Sequence, residues 1–292
     1  MRIGILTKNP ESWHSKQLEK ATIKNNAEPL LFRFSEITAK IEEKTKIYVR
    51  NLDVAKEIPA IIVRPIGRGS LEEIIFRLDV LHTLERLGTL IINPPKAIEI
   101  SVDKYYSLTL LKMHGIPVPK TVATESLEEA IKAFNELGGD VVTKPLFGSR
   151  GIGSTRISDP EVATRIFRAL SYHHNVLYLQ KYIEHGFADI RAFVVGDRVI
   201  ASMKRMAQTW KTNISLGARP KPTKLSGELE DLAVKSAKTI GCKIAGVDII
   251  ESEKGPLIVE INSQPGWRGL QTVTRINIAD EIVKYVISEL KK

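Results

Sequence analysis

Two acids and an amide near the C-terminal end of the sequence are spaced to suit a divalent cation. In Val259-Glu260-Ile261-Asn262, a period of two puts Glu260 and Asn262 on one face of a strand. Val259 and Ile261 are then expected to face the core. The preceding apolar run, Ala245-Gly246-Val247-Asp248-Ile249-Ile250, carries one acid. A polar turn over residues 251–255 joins the two runs as a hairpin. If the turn centres on Lys254, Asp248 lies opposite Glu260, and three oxygen-bearing side chains converge. That donor set suits Mg²⁺, which takes few protein ligands beside phosphates and water. The competing reading is a polar sheet face open to water. An acid flanked by Val and Ile is costly to bury unless paired or metal-bound.

Upstream, Lys144-Pro145-Leu146-Phe147-Gly148-Ser149-Arg150-Gly151-Ile152-Gly153-Ser154 matches neither a Walker loop nor a dinucleotide fingerprint. Its three glycines and two serines allow close backbone approach to phosphate oxygens, and Lys144 adds a charge. The same composition also makes a plain flexible turn. The apolar run Leu177-Tyr178-Leu179-Gln180-Lys181-Tyr182-Ile183 can offer its backbone to an adenine edge, or be any buried strand. In Ala188-Asp189-Ile190-Arg191, alternation puts Asp189 and Arg191 on one face. Lys204-Arg205 and Lys211-Thr212-Asn213 follow. A half-buried arginine there holds a carboxylate or phosphate bidentately, or forms a structural pair with Asp189. The histidines show no metal spacing, no hydrolytic triad is visible, and no residue stands out as a covalent nucleophile.

These groups need strands and turns to hold them. The first hundred residues predict strands over 2–7, 29–34, 58–63 and 89–93, with helices over 12–25 and 70–87. Ser70 caps the second helix, with Glu73 three residues on. Such alternation implies a parallel, Rossmann-like sheet. The first turn, Thr7-Lys8-Asn9-Pro10, has no glycine fingerprint, which argues against a dinucleotide site there. Pro94-Pro95 punctuates the unit. Helices are then expected over 101–115, 127–137, 160–170, 229–240 and 279–290. Strands are expected over 140–144, 176–182, through 189–206, and over 244–251 and 256–261. Residues 208–226 form a polar stretch between the last two groups.

The chain of 292 residues allows one large or two to three small domains. Its hydrophobic fraction of 43% is ordinary for a globular protein. No run approaches the roughly 18 apolar residues of a membrane span, and Met1-Arg2-Ile3-Gly4-Ile5 is too soon charged for a signal peptide. Cys242 is the single cysteine, so a reduced cytoplasmic setting is expected. The net charge of +9 fits nucleic acid, or phosphorylated and polycarboxylate substrates. Without a basic block or an aromatic RNA-binding motif, nucleic acid is not the expected partner.

Taken in order, these pieces resemble the ATP-grasp superfamily, in its ribosomal S6 glutamate ligase (RimK)-like branch. The resemblance runs from Asp103-Lys104 through Lys144 and its glycine loop, Gln180–Ile183, Asp189-Ile190-Arg191 and Lys211-Thr212-Asn213 to Asp248, Glu260-Ile261-Asn262 and Pro265-Gly266. It implies an ATP-grasp fold of class α/β and α+β. The implied units are an N-terminal Rossmann-like domain over 1–100, a central subdomain with the lid over 101–184 and a C-terminal subdomain with the metal site over 185–292. Carried onto this sequence, Lys104 and Lys144 resemble phosphate contacts, and Gly148, Ser149, Arg150, Gly151 and Gly153 the lid. Gln180, Lys181, Tyr182 and Ile183 resemble the adenine hinge. Asp189, Lys211, Thr212 and Asn213 resemble further nucleotide contacts; Lys211 and Thr212 stand where the family has Arg and Ser. Asp248, Glu260 and Asn262 resemble ligands of Mg²⁺ or Mn²⁺, with two ions implied. Lys181 replaces a glutamate found in many relatives.

The implied reaction is ATP-dependent joining of L-glutamate to an acceptor carboxylate through an acyl phosphate, releasing ADP and phosphate. No protein nucleophile is needed. Arg191, Arg205 and Arg268 are candidates to hold the acyl phosphate or substrate carboxylates. The stretch Val63-Arg64-Pro65-Ile66-Gly67-Arg68-Gly69-Ser70 resembles archaeal ligases that glutamylate pteridine or deazaflavin coenzymes, with tetrahydromethanopterin the acceptor implied. Arg64 and Arg68 follow a predicted strand, where they either grip an anionic acceptor or pair with Glu72 or Glu73. The other acceptors to consider are a deazaflavin coenzyme and a ribosomal or carrier-protein C-terminus. The family also suggests a homo-oligomer. Readings of another class are an RNA-binding protein, which leaves the acidic hairpin unexplained, and a non-catalytic nucleotide sensor.

Overall fold

The computed structural model describes residues 1–148 and 151–292. Its first unit runs β1 (Arg2–Leu6), α1 (Trp13–Lys24), β2 (Glu28–Phe32), β3 (Ile37–Ile41), β4 (Thr45–Val49), β5 (Leu52–Asp53), α2 (Val54–Glu57), β6 (Ala60–Val63), α3 (Leu71–Arg86) and β7 (Leu90–Ile92). Four of these strands form a parallel sheet in the order β2-β1-β6-β7. Apart from Arg2 and Glu28 at their starts, these strands are apolar, as expected where helices cover both faces. Ser70 and Glu73 close the expected capping box at the start of α3. Strands β3 to β5 make a small antiparallel sheet to which no pattern in the sequence points.

Next come α4 (Pro95–Val102) and α5 (Lys104–Met113), where a single helix from 101 was expected. Proline fits the first turn of a helix, so Pro95 opens α4 instead of merely ending the sheet unit. Asp103 then interrupts the run. Its extended backbone and its carboxylate, which accepts from the Tyr106 amide at 2.9 Å, start a new helix on Lys104.

The central sheet is built from β8 (Thr121–Thr124), β9 (Val141–Thr143), β10 (Thr155–Ile157) and β11 (Leu177–Lys181), in the order β10-β9-β11-β8. It is antiparallel throughout and backed by α6 (Leu127–Glu136) and α7 (Pro160–Tyr172). The third sheet has β12 (Ala188–Val195), β13 (Arg198–Met206), β14 (Arg219–Pro222), β15 (Ile244–Ser252) and β16 (Gly255–Asn262), in the order β14-β13-β12-β15-β16. β14 lies inside the stretch read only as polar. α8 (Gly227–Ile240), α4 and α5 share a core with one face of this sheet. After the short α9 (Arg268–Gln271), α10 (Ile278–Glu289) returns to the first sheet. There Ile282 and Val286 share a core with Ile3, Ile5 and Leu18. Asp280 holds the contact, accepting from Asn25 Nδ2 at 2.7 Å and Lys24 Nζ at 2.9 Å. Among the described residues no helix is long and apolar enough to cross a membrane.

Candidate active site

The central and C-terminal sheets face each other across a cleft. Lys104, Lys144, Gly148, Gly151, residues 180–183, Asp189, Arg205, residues 211–213, Asp248 and Glu260 all line it. Residues spread over more than 150 positions of sequence thus meet in one place.

The acidic hairpin is assembled as expected, by a different route. Ser252 pairs with Gly255 across a two-residue turn, Glu253-Lys254. An unbroken ladder from that turn would set Asp248 against Val259. A bulge between Asp248 and Ile249 shifts the register by one and sets Asp248 against Glu260. The bulge also overturns the expectation for Val259. The face-alternation is broken there, so Val259 and Glu260 both line the cleft, while Ile258 and Ile261 fill the core.

Asp248 belongs to a buried charge chain. Arg191, on the neighbouring β12, donates from Nε to Asp248 Oδ1 and from Nη2 to Oδ2, the latter at 2.8 Å. Arg205 on β13 reaches the same Oδ1 at 3.1 Å and forks onto Asp189, with Nε to Oδ1 at 2.7 Å. Thr212 Oγ1 donates to Asp189 Oδ2 at 2.6 Å. So Asp189 and Arg191 do not pair with each other; each crosses to the opposite neighbouring strand. Gly246 gives Arg191 its room, since a Cβ there would lie 2.7 Å from Nη1. Burial works against the charges, but the pairing outweighs it. The two arginines hold the Asp248 carboxyl below its usual value, and Asp248 and Asp189 hold the Arg205 guanidinium above its own.

The basic side of the cleft is held from the central sheet. Lys144 Nζ donates to Gln180 Oε1 at 2.8 Å. The Gln180 amide in turn donates to Thr121 Oγ1 and to the Tyr178 hydroxyl, each at 3.2 Å. Lys104 Nζ donates to the Gly148 carbonyl at 2.9 Å, which ties α5 to the glycine loop. Gly151 rests on Asn213: a Cβ there would lie 2.5 Å from Asn213 Oδ1, and its φ of +70° suits glycine. Ser149 and Arg150 lie outside the described residues. Burial pulls the Lys144 ammonium down to about 8, with Glu260 opposing and Lys104 adding to the drop. Lys144 is therefore charged at lower pH and loses its proton as pH rises through about 8. Nucleotide affinity that depends on this charge should weaken above that pH, by up to about tenfold per unit. Lys144→Arg should flatten the profile, because a guanidinium stays charged. Calorimetric titration of a non-hydrolysable ATP analogue over about pH 7 to 9.5 checks this. Wild-type affinity that does not change over that range would count against Lys144 as a phosphate contact.

Sequence reasoning missed His185. Its Nδ1 lies 2.7 Å from the Ile183 carbonyl and its Nε2 3.1 Å from that of Trp210, so it bridges the hinge to the 211–213 segment. Nothing local to His185 in the sequence marks it. Arg191, Gly153 and Asn262 stand beside the cleft without lining it, and Arg268 is exposed at the start of α9.

The donor chemistry fits a hard cation. Glu260 is half-buried in the cleft wall, with no hydrogen-bond or ion-pair partner among the described residues. Asn262 donates its Nδ2 weakly to the Gly246 carbonyl at 3.4 Å, which leaves its side-chain oxygen as a donor to metal. Asp248 is already shared between two arginines. Among the described residues no group of three or more His, Cys, Asp or Glu is gathered for a metal, as expected for a set of two acids and an amide.

Comparison with known proteins agrees with this geometry at two levels. The overall fold is that of ATP-grasp ligases. The ligase PsnB complexed with its minimal precursor superposes with a TM-score of 0.80 over 98% of each chain, at 21% identity. The sequence matches the RimK-like ATP-grasp domain over residues 101–286 and the RimK PreATP-grasp domain over 1–98. The chain belongs to the RimK-like ATP-grasp family and is an ATP-dependent ligase. It is similar over its full length to tetrahydromethanopterin:alpha-L-glutamate ligases, which it also covers in full. Identity is 32% with that of Methanococcus maripaludis and 35% with that of Methanocaldococcus jannaschii. A probable alpha-L-glutamate ligase of Trichodesmium erythraeum is 33% identical over all of this chain and 98% of its own.

Proposed function

We propose that this protein joins the amine of L-glutamate to a carboxylate of tetrahydromethanopterin, driven by cleavage of ATP to ADP and phosphate. The observation that supports the chemistry is the meeting of Lys104, Lys144, the 180–183 strand end and Glu260 in one cleft. The choice of acceptor rests on the full-length likeness to relatives of that name.

In this reading, Lys104 and Lys144 contact the phosphates, the backbone of residues 180–183 takes the adenine edge, and the glycine loop covers the triphosphate. Glu260, Asn262 and Asp248 would hold Mg²⁺, or Mn²⁺, as two ions. Bound there, the metal would neutralise phosphate charge. An oxygen of the acceptor carboxylate attacks the γ-phosphorus and ADP departs, leaving an acyl phosphate. The glutamate amine then attacks the acyl carbon. Phosphate leaves with the former carboxylate oxygen, the attacking amine nitrogen sheds one proton and keeps one, and a secondary amide remains. The protein supplies no nucleophile. It positions the partners, stabilises charge and keeps water from the acyl phosphate. The Asp189–Arg205–Asp248–Arg191 chain fixes the floor against which this happens.

The test offers purified protein radiolabelled glutamate and Mg-ATP with tetrahydromethanopterin, a deazaflavin coenzyme or a ribosomal-protein C-terminus, one at a time. The expected result is label in the pterin with matching ADP release. Label only in another acceptor would reject the pterin, and AMP with pyrophosphate would reject the acyl phosphate route.

A further inference from the structure

Arg64 is the first residue after β6, at the carboxyl edge of the parallel sheet, where open α/β sheets bind ligands. It is only 8% exposed. Its guanidinium lies 4.7 Å over the Trp267 ring, and Nη1 donates to the Pro265 carbonyl at 3.1 Å. Among the described residues no carboxylate pairs with it. The pairing with Glu72 or Glu73 considered from sequence does not form. Glu73 instead accepts from the Ser70 amide and pairs with Arg77 at 2.9 Å. Burial alone, unopposed by any acid, lowers Arg64 to about 10. A buried cation without a counter-ion is strongly destabilising, so its presence calls for an anion from elsewhere.

The turn beneath Arg64 is short of acceptors in the same way. Gln264 Nε2 and Trp267 Nε1 are both buried donors without a partner. Arg64 Nε and Nη2 also lack a protein acceptor among the described residues, and they are not sealed from solvent. On its inner side Arg64 borders a cavity of about 10 Å³ shared with Asn93 and Ser263. That is room for a single water, so a substrate group must approach from the outer side. Three side chains with donors to spare, around a turn that begins two residues after Asn262, describe a place for a ligand that brings only acceptors.

We propose that Arg64, with Gln264 and the Trp267 ring, forms a carboxylate-binding subsite for one of the two substrates of the ligation, at the end of the strand that carries Glu260. This rests on the ligase reading above, but its binding test does not require turnover. The carboxylate comes either from the acceptor or from glutamate's side chain. Kinetics tell the two apart.

The experiment compares wild-type protein with Arg64→Met, which keeps the bulk over Trp267 and removes the charge. Thermal midpoints are measured with Mg-ADP, with and without L-glutamate or the polycarboxylate tricarballylate at matched ionic strength. The wild-type midpoint should rise with at least one carboxylate. That of Arg64→Met should not, and without ligand it should equal or exceed the wild type. In turnover assays, the KM of one substrate, glutamate or pterin, should rise roughly tenfold to a hundredfold, as expected for a lost charge-assisted hydrogen bond. The KM for ATP should not change. Arg64→Lys should recover part of the loss. If Arg64→Met is less stable yet still stabilised by carboxylates as the wild type is, Arg64 is a packing residue and the subsite is wrong. If the pterin is not turned over but the charge-dependent stabilisation holds, the subsite stands and the acceptor assignment falls.

Discussion

Glu260→Ala is expected to lower turnover by about a thousandfold while the fold survives. A metal that neutralises phosphate charge is worth several kcal/mol in the transition state, at 1.36 kcal/mol per decade of rate. Glu260 is the one proposed ligand whose carboxylate has no partner among the described residues, so its removal breaks no ion pair. It also takes a negative charge away from the acid opposite, Asp248, so the melting temperature should hold or rise slightly. A second readout belongs to the neighbouring lysines. Glu260 supports the charge of both Lys104 and Lys144, and without it the alkaline loss of nucleotide affinity should move to lower pH. Steady-state assays with varied Mg²⁺ measure the main effect. Near-normal Mg²⁺-dependent turnover in Glu260→Ala would show that the metal is held elsewhere.

Arg205→Leu should instead cost stability, about 3–5 kcal/mol by denaturant titration. Arg205 is buried and, among the described residues, is the one that ion-pairs with both Asp189 and Asp248. Leucine leaves Asp189 buried with only the Thr212 hydroxyl among the described residues, and Asp248 with Arg191 alone. The sign of the pH dependence follows from the acids. In the wild type the depressed Asp248 carboxyl adds stability above the usual carboxylate range, and this is lost as pH falls through its lowered value. In Arg205→Leu the Asp248 carboxylate keeps only Arg191 and is depressed less, so the gap to wild type should narrow as pH falls through the wild-type value. Arg205→Lys keeps a charge and loses the fork, and should fall between the two. A loss below about 1 kcal/mol at neutral pH, typical of a surface pair, would mean that the chain is solvated.

The sequence made parts of this site readable because they depend on local rules. Period-two alternation placed Glu260 and Asn262 on one strand, and the polar turn made its pairing with the Asp248 strand a hairpin. The capping box at Ser70 and the alternation of the first hundred residues gave the parallel sheet. What stayed hidden depends on neighbours that are distant in sequence. The bulge at Asp248 and Ile249 corrects the register and turns Val259 into the cleft, and no residue type there announces it. The partners of Arg191 and Arg205 follow from the order β13-β12-β15, which local pattern does not encode. His185 bridges two carbonyls brought close only by folding. Residues 37–53 escaped because β3 is almost wholly exposed, so its side chains carry little hydrophobic pattern.

The route through an acyl phosphate is tested most directly by following an oxygen atom. Tetrahydromethanopterin with its reactive carboxylate enriched in heavy oxygen is turned over with Mg-ATP and L-glutamate, and the released phosphate is analysed by mass spectrometry. Attack of that carboxylate on the γ-phosphorus, followed by amine displacement, predicts that each phosphate carries one labelled oxygen and that ADP carries none. Unlabelled phosphate, or label recovered in AMP, would contradict it.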